Sequence, residues 1–330
     1  MSKGRCPLCE SDDSAPVVCT DFNLTGGTAK SYRVVQCLRC DMRYLDPLPL
    51  ADELAAYYRE DYPAYALGRE NPNSCSVEQA SIHRRFARIA EHRLSIVRRE
   101  TSGLASCGPL LDVGCGNGAF LLEFARQTNG ECWGLDIEEC HLAKSAKSHT
   151  LPLRFMKGNL KSSALPARYF GLITFWHSLE HDGDPVGTLK RVSELLRPGG
   201  FVLAEVPNSS GLIARMCGSC WLGWDLPRHL VHFIPTTLRR SARRAGLSRI
   251  RVLHEYTLNP ICLSPLLASL SLWHQRQRGR KRLKRPNYHK WDGTREIALQ
   301  TMNGFERILG GNGLLLVARS PHTNSDRRAA

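Results

Sequence analysis

A glycine-rich stretch at residues 111–120, LDVGCGNGAF, constrains the fold of this chain more than any other feature. Apolar residues precede the glycines and an apolar helical pattern follows them, which predicts a buried strand, a sharp turn and a helix. Gly114, Gly116 and Gly118 let the backbone turn tightly and come close to a ligand. Strand and helix patterns then alternate as far as residue 206, so the sequence predicts an α/β protein with a mostly parallel sheet.

Two carboxylates beside the glycines narrow the choice of ligand. Asp112 precedes the first glycine at the carboxyl end of its strand, where open α/β sheets bind ligands, and its charge suits an ammonium group better than a pyrophosphate. Asp136 ends the next strand and is placed to hold ribose hydroxyls. The glycines also match the dinucleotide pattern G-x-G-x-x-A, which alone is weak. A nucleoside with an amino-acid tail fits both acids, so S-adenosylmethionine is predicted ahead of a nicotinamide dinucleotide; an α/β turn without a ligand is the plainer alternative.

Three downstream motifs extend this pattern: MKGNL (156–160), FGLITFWHSLEHDGDP (170–185) and LLRPGGFVLAEVPN (195–208). In order and spacing they resemble the class I S-adenosylmethionine-dependent methyltransferases over residues 105–250. The resemblance implies a Rossmann-like, doubly wound, mostly parallel seven-stranded sheet, completed by a strand near 314–319. It also implies a cofactor site made of Asp112, Gly114, Cys115, Gly116, Asn117, Gly118, Asp136, Ile137, Asn159, Leu160 and His177.

Two positions depart from the family pattern. Asn159 stands where the family often has an acid at the adenine edge, and an amide can replace it because it both donates and accepts hydrogen bonds. Gly171 stands where the family usually has aspartate, and the sequence offers no reason for the glycine.

Four cysteines form two C-x-x-C knuckles, Cys6 with Cys9 and Cys37 with Cys40. Paired knuckles supply the four sulfur ligands that structural Zn²⁺ prefers, so residues 1–48 are predicted to be a zinc ribbon; four unrelated buried cysteines are the alternative. The chain has 13 cysteines, an odd number, which favours a reducing compartment over a disulfide framework.

The other segments are assigned more coarsely. A short helix is expected at 52–58 and a turn at 197–200. Residues 81–99 are expected to form an amphipathic helix whose basic face, which includes Arg93, is solvated. Residues 207–235 are expected to lack helix and strand and to form a substrate wall rich in chemically capable side chains. The predicted division is a zinc ribbon at 1–48, a linker and helical lid at 49–100, a cofactor-binding core at 101–254, substrate-side helices with the last strand at 255–320, and a tail at 321–330.

A general base is expected near the transferred methyl group, because a hydroxyl or C–H acceptor must lose a proton. The candidates are His181 with Glu180 beside it, then His229 or His232 from the 207–235 segment. His181 comes first by resemblance to the Glu-His pair that follows the fourth strand in related enzymes. Glu180 and His181 could instead bind a divalent metal, or His181 could simply pack at the strand end.

The zinc knuckles, the tyrosines at 57, 58, 62 and 65, and the D-x-P-R-H-x-x-H-F stretch at 225–233 resemble one subgroup of the family. It contains sugar C-methyltransferases and enzymes of polysaccharide and natural-product pathways, in which the tyrosine segment folds over cofactor and substrate. The cysteines at 217 and 220 with the histidines at 229 and 232 also suggest a second zinc, although H-x-x-H is shorter than the usual spacing.

Charge leaves the acceptor open. The formal net charge is +14, and seven basic residues crowd positions 276–285 after an apolar helix pattern at 261–273. Such a cluster suits a phosphorylated or lipid-linked small molecule, an anionic membrane surface or nucleic acid. A small-molecule methyltransferase is the first prediction, an RNA methyltransferase the second and a nicotinamide oxidoreductase the third. Since there is no apolar run long enough to span a bilayer and no signal core, a cytoplasmic protein is expected, with peripheral membrane contact open.

Overall fold

A computed structural model of the chain describes residues 4–20, 32–55, 57–58, 77–101, 103–138, 151–255 and 313–321. Several expectations fall outside these ranges: nearly all of the helix that the alternating pattern predicts at 138–147, the tyrosines at 62 and 65, the apolar helix at 261–273, the basic cluster at 276–285 and the tail beyond residue 321.

The described residues form two sheets and six α-helices. The strands are β1 (Ser14–Thr20), β2 (Tyr32–Cys37), β3 (Arg43–Leu45), β4 (Leu110–Val113), β5 (Cys132–Asp136), β6 (Leu153–Lys157), β7 (Phe170–Trp176), β8 (Leu196–Pro207), β9 (Val231–His232), β10 (Ser248–Glu255) and β11 (Gly313–Arg319). The helices are α1 (Ala51–Ala55), α2 (Val77–Glu100), α3 (Ala119–Thr128), α4 (Pro185–Leu195), α5 (Leu212–Cys217) and α6 (Pro235–Arg244).

The larger sheet has the strand order β10-β11-β8-β7-β4-β5-β6. The five strands from β8 to β6 run parallel, whereas β11 lies antiparallel to both β8 and β10. The chain builds outward from β4 to β6 and then crosses back to β7, so the strand order reverses between β4 and β7. Ligands of open α/β sheets bind outside the carboxyl ends of the strands at such a reversal. The predicted seven-stranded, mostly parallel Rossmann-like fold is confirmed.

Two apolar layers cover this sheet. Helices α2 and α3 pack on one face, and α4 and α6 pack on the other. The central strand β7, sequence FGLITFW, is buried along its whole length, as a parallel strand covered on both faces requires. The carboxyl edge of this covered sheet is where side chains can meet a ligand.

Two details of the sheet differ from the sequence-based expectation. Strand β8 begins at Leu196, and residues 197–200 form a bulge within it instead of a separate turn before it. Gly171 has a steric reason that the sequence did not reveal: a Cβ there would lie 1.6 Å from the carbonyl oxygen of Cys107. No side chain fits in that space, so the aspartate usual at this position could not be accommodated.

The smaller sheet combines distant parts of the chain. Its strand order is β1-β2-β3-β9, and all its pairs are antiparallel. The first three strands come from the cysteine-bearing segment, but β9 comes from residues 207–235. That segment also contains α5 and short 3₁₀ turns at Gly218–Cys220 and Leu222–Trp224. The expectation that it lacks regular structure is therefore wrong, because its tryptophans and other apolar side chains form a buried cluster with the smaller sheet.

Candidate active site

The glycine turn between β4 and α3 needs its glycines for geometric reasons. Gly114, Gly116 and Gly118 have φ angles of 74°, 55° and 76°, in the left-handed region that side chains disfavour. A Cβ at Gly114 would also lie 2.4 Å from the Cβ of Ser178, whose hydroxyl donates to the carbonyl of Val113 at 2.6 Å. The turn is thus pressed against the residues that follow β7, which brings two predicted site segments together.

Residues within the turn hold its shape. The Gly118 amide donates to the carbonyl of Cys115 at 2.9 Å, and the side-chain oxygen of Asn117 accepts from the Ala119 amide at 3.0 Å. Cys115 and Asn117 are both buried. Their contacts place the amino end of α3 directly behind the turn.

Asp136 crosses from β5 to the glycine turn. One carboxylate oxygen accepts from the Gly116 amide at 2.8 Å, and the other accepts from the Glu138 amide at 3.1 Å. Ile137, the next residue, leaves 47% of its surface exposed although it is a large apolar residue. An oriented carboxylate beside an exposed apolar face is a suitable arrangement for a nucleoside.

Asp112 lies deeper than its predicted role suggested. Asp112 is 1% exposed, and its carboxylate accepts a hydrogen bond from the Thr174 hydroxyl at 2.7 Å. Burial raises the pKa of Asp112 to about 7, against the lowering effects of Thr174 and the nearby Arg93. This aspartate therefore changes charge near neutral pH, a property that a cationic ligand group would alter.

The predicted adenine-edge residues lie after β6. The side-chain oxygen of Asn159 accepts from the amides of Lys161 and Ser162 at 3.1 and 3.0 Å, so it shapes the local turn. Leu160 is buried in the core. Contact of either residue with a cofactor stays a prediction.

His177 follows β7 and lies between two buried carboxylates. Its Nδ1 is 3.4 Å from Glu180 Oε1, and its Nε2 is 3.6 Å from Glu205 Oε1. Burial alone would lower the pKa of His177, but these two carboxylates outweigh it and raise the pKa to about 10. The side chain is 38% exposed, so water reaches the resulting imidazolium. His177 links the ends of β7 and β8.

Glu180 is a buried acid beside the histidines of this region. Its side chain is 1% exposed, and neither carboxylate oxygen accepts a hydrogen bond from the described part of the chain. Burial opposes its ionisation, yet the neighbouring His177 keeps the pKa of Glu180 below its ordinary value. A buried, ionised carboxylate therefore faces the histidines around it.

His181 connects the strand end to the tyrosine segment. Its Nδ1 lies 2.7 Å from the Tyr58 hydroxyl, and its ring meets that of His229 edge-on with centroids 4.8 Å apart. Burial lowers the pKa of His181 to about 4, and the neighbouring His229 acts in the same direction. The imidazole of His181 is therefore neutral at physiological pH.

His229 is held by the loop that carries it. Its Nδ1 donates to the carbonyl of Gly223 at 2.9 Å, while its Nε2 lies 3.9 Å from Glu180 and 3.7 Å from Asp225. Asp225 also binds the guanidinium of Arg228 through both carboxylate oxygens, in a buried pair. The loop thus aims His229 at Glu180 and His181, and three of the sequence candidates meet in one cluster.

His232 occupies a different place from the other histidines. It is buried on β9 beside the ring of Trp224, with centroids 5.0 Å apart, and burial lowers the pKa of His232 well below its ordinary value. Cys217 packs into the same apolar cluster. The side chain of Cys220 lies outside the described residues, so a second zinc bound by this segment stays a prediction.

Two residues of this region, Arg93 and Glu205, were not among the site residues predicted from the sequence. Arg93 was assigned to a solvated face of α2, but that assignment is wrong: its guanidinium carbon lies 5.3 Å from the Trp176 ring centroid, and the carboxylates of Asp112 and Glu205 act on its charge. The signal was weak, because an arginine on an amphipathic helix gives no sign of which sheet edge it reaches. Glu205 was the easier of the two site residues to recognise, because it is an acid within an otherwise apolar strand pattern.

The four knuckle cysteines lie together, as their spacing predicted. Cys6 and Cys40 have sulfur atoms 3.5 Å apart, those of Cys9 and Cys37 are 3.4 Å apart, and all four fall within 4.8 Å of one another. A tetrahedron with Zn–S bonds of about 2.3 Å requires sulfur separations of roughly 3.8 Å, so the set fits zinc. Burial also raises the pKa of Cys6 to about 11, and a bound cation would offset that cost of the thiolate.

Comparison with known proteins agrees with this architecture. A family profile described as a methyltransferase domain matches residues 81–252, just over half of the chain. This chain belongs to the methyltransferase-domain family. The predicted class, an enzyme that transfers a methyl group from S-adenosylmethionine, is confirmed.

Relatives found by sequence include several ubiquinone biosynthesis O-methyltransferases. The chain is 32% identical to the one from Nitrosospira multiformis over 163 residues, which cover 46% of this chain and 67% of that protein. It is 30% identical to the one from Thiobacillus denitrificans over 165 residues, covering 46% and 69% of the two chains. The similarity thus spans about two thirds of each of these two relatives, and the family profile begins at residue 81, after the cysteine knuckles.

Solved structures with a similar fold are more distant. Phosphoethanolamine N-methyltransferase 2 of Haemonchus contortus, in complex with S-adenosyl-L-methionine, is 16% identical, with a TM-score of 0.49 over 70% of this chain and 53% of that one. The 1,6-didemethyltoxoflavin-N1-methyltransferase of Burkholderia thailandensis is 17% identical, with a TM-score of 0.47 over 86% and 97%. Among the described residues of this chain, no helix is long and apolar enough to cross a membrane.

Proposed function

We propose that this methyltransferase methylates a hydroxyl group of a small-molecule acceptor and that His181 takes the hydroxyl proton. The observation that carries the proposal is the cluster of Tyr58, Glu180, His181 and His229 beside the glycine turn. A neutral imidazole with a buried anion next to it is what deprotonation of a hydroxyl needs at that place.

The cofactor would occupy the crevice at the strand reversal. Asp136, oriented by the Gly116 amide, would accept from the ribose hydroxyls, and the exposed face of Ile137 would pack on the adenine. Asp112 lies behind the turn, where the amino group of the methionine part would lower its pKa. Methyl transfer is an in-line displacement, so this positioning of the sulfonium supplies much of the rate.

The base would act through Nε2 of His181. Nδ1 lies at hydrogen-bond distance from Tyr58, and in the tautomer that we propose it carries the proton and donates to the tyrosine oxygen. The lone pair then resides on Nε2. As the acceptor proton arrives, Glu180 would stabilise the imidazolium, since its ionised carboxylate acts favourably on a positive His181.

A divalent cation is the rival role for the same residues. A carboxylate oxygen of Glu180 and ring nitrogens of His181 and His229 lie within 4.8 Å of one another, so one ion could be held by all three. A metal would lower the pKa of a bound acceptor hydroxyl directly, without a histidine base. The two roles exclude each other at His181, because one nitrogen lone pair cannot both bind a cation and take a proton.

The small-molecule class is supported by the relatives, whose names place them in ubiquinone biosynthesis as O-methyltransferases. The sugar or natural-product subgroup rests on the cysteine knuckles and the 225–233 motif and is a narrower form of the same proposal. The features that suggested a phosphorylated, lipid-linked or nucleic-acid acceptor lie at 276–285, outside the described residues.

The test is transfer of a labelled methyl group to a panel of catechols, phenols, nucleotide sugars and RNA. We expect label in a hydroxyl-bearing small molecule, with loss of transfer in His181→Asn and no effect of a chelator that leaves the cysteine site loaded. Transfer only to RNA would contradict the proposal. If the chelator abolishes methyl transfer and magnesium restores it, the divalent-cation role is supported in place of the histidine base.

A further inference from the structure

The cysteine-bearing segment is joined by backbone hydrogen bonds to residues 207–235, the proposed catalytic loop, which carries His229. Strand β3 follows the second knuckle directly and pairs with β9, which follows His229 in the loop. The Leu45 amide donates to the Leu230 carbonyl at 2.9 Å, which extends this pairing to the residue next to His229. The strand that follows the second cysteine knuckle is therefore also the strand on which the loop is seated.

The same residue, Leu230, is held from the other side. The Leu230 amide donates to the carbonyl of Glu180 at 2.9 Å. Leu230 thus bridges β3 and the turn after β7, and it is adjacent to His229. Any displacement of β3 would act on the distance between His229 and Glu180 through a single residue.

Both ends of the loop have further contacts with the cysteine-bearing segment. At the start of the loop, the Ser209 carbonyl accepts a hydrogen bond from the Arg43 guanidinium at 2.6 Å. After it, Arg240 on α6 donates to the carbonyl of Cys40 at 3.1 Å, and Arg244 donates to the carbonyl of Leu8 in the first knuckle. Each knuckle therefore presents a backbone carbonyl to the helix that follows the loop.

We propose that the four-cysteine site is a positioning element for catalysis: metal bound by the thiols fixes β3 and α6 and so holds His229 against Glu180 and His181. The cation ties the two knuckles into one unit, from which the contacts with β9, with Ser209 and with α6 all start. The role of His229 rests on the proposed function, whereas the mechanical link does not.

The cofactor turn offers an internal reference. Its own hydrogen bonds, from Gly114 to Leu135 and from Gly116 to Asp136, connect β4 and β5 and do not pass through β3. Metal removal should therefore loosen the loop and spare the cofactor site.

Hydrogen exchange of the full-length protein tests this link without any acceptor. Zinc is removed by a chelator, and exchange is compared in peptides spanning 43–46 and 228–232 and in peptides spanning 111–116 and 132–136. We expect exchange in the first pair to rise roughly tenfold, as the loss of one or two hydrogen bonds implies, with the second pair and the affinity for S-adenosylmethionine unchanged. The Cys37→Ser variant should reproduce this pattern.

A second variant pair separates the link from the metal itself. Arg240→Ala combined with Arg244→Ala should keep zinc and still raise loop exchange several-fold, by loss of two charged hydrogen bonds. Arg239→Ala is the matched control, because Arg239 lies on the same helix but donates to the carbonyl of Ile250.

Three results would overturn the proposal. Unchanged loop exchange after zinc removal would remove the link, and a uniform rise along the whole chain would make the site a general stabiliser. Purified protein that binds no metal would remove the premise. If the expected exchange pattern is found but His181→Asn keeps full methyl transfer, only the proposed function is refuted.

Discussion

The cofactor edge and the histidine cluster lie side by side but are built in different ways. The cofactor edge comes from one continuous βαβ segment, in which Gly114 donates to Leu135 and Gly116 donates to Asp136. These contacts lie within 22 positions of sequence. The histidine cluster is assembled from three distant segments, represented by Tyr58, His181 and His229. A site of the first kind can be read from one continuous sequence motif. A site of the second kind depends on how the surrounding segments pack together.

This difference predicts that the two regions can be damaged separately. The largest effect should come from His181→Asn, which removes the proposed base and lowers the rate of transfer by about 10²–10⁴-fold. Affinity for S-adenosylmethionine, measured by calorimetry, should stay within about twofold, since the cofactor edge is untouched. His254→Asn, at an exposed position on β10, is the control and should change neither quantity. Full activity in His181→Asn would disprove the base.

Asp136→Ala should give the opposite pattern. Removing the carboxylate that accepts from Gly116 and the proposed ribose hydroxyls should weaken cofactor binding by roughly 100-fold or more while the chain stays folded. Circular dichroism and titration calorimetry measure the two quantities. Glu138→Ala is the control, because the side chain of Glu138 is half-exposed and pairs with Lys157 at 3.7 Å. Undiminished affinity would remove Asp136 from the ribose contact.

A smaller effect is expected within the histidine cluster. Tyr58→Phe keeps the ring but removes the hydroxyl that sets the His181 tautomer, so transfer should slow by about tenfold with cofactor affinity unchanged. Tyr169→Phe is the matched control, because the Tyr169 hydroxyl donates to Glu131 away from the cluster. Equal rates for Tyr58→Phe and the wild type would mean that the tautomer is set elsewhere.

The smallest effect concerns pH at the cofactor edge. In the protein without cofactor, the pKa of Asp112 is raised to about 7, so its carboxyl group is mostly protonated below that pH. This protonation stabilises the folded state relative to the unfolded chain, and the stabilisation is lost as the pH rises through 7. A cationic amino group favours the ionised form, so cofactor affinity should instead rise several-fold between about pH 6 and 8. Calorimetry across this range should show that dependence flattened in Asp112→Asn. A wild-type affinity independent of pH would contradict the proposed contact.

The same contrast explains how much the sequence could predict. Strand and glycine patterns predicted the mostly parallel α/β sheet, and the family resemblance added its seven strands. The spacing of Cys6, Cys9, Cys37 and Cys40 placed four thiols together, because ligand spacing of this kind is a strict signal. The sequence could not show that β9 joins the cysteine-bearing sheet, since a two-residue strand has no pattern of its own. Nor could it place Arg93 over Trp176, because a helix sequence does not specify which sheet edge the helix covers.

Titration of the purified full-length protein with S-adenosylmethionine, with its demethylated product and with NADH tests the central claim most directly. The account predicts micromolar binding of the first two ligands, no binding of NADH, and loss of the first two in Asp136→Ala. Binding of NADH without binding of either sulfur-containing ligand would contradict the cofactor assignment and, with it, the placement of the methyl group beside His181.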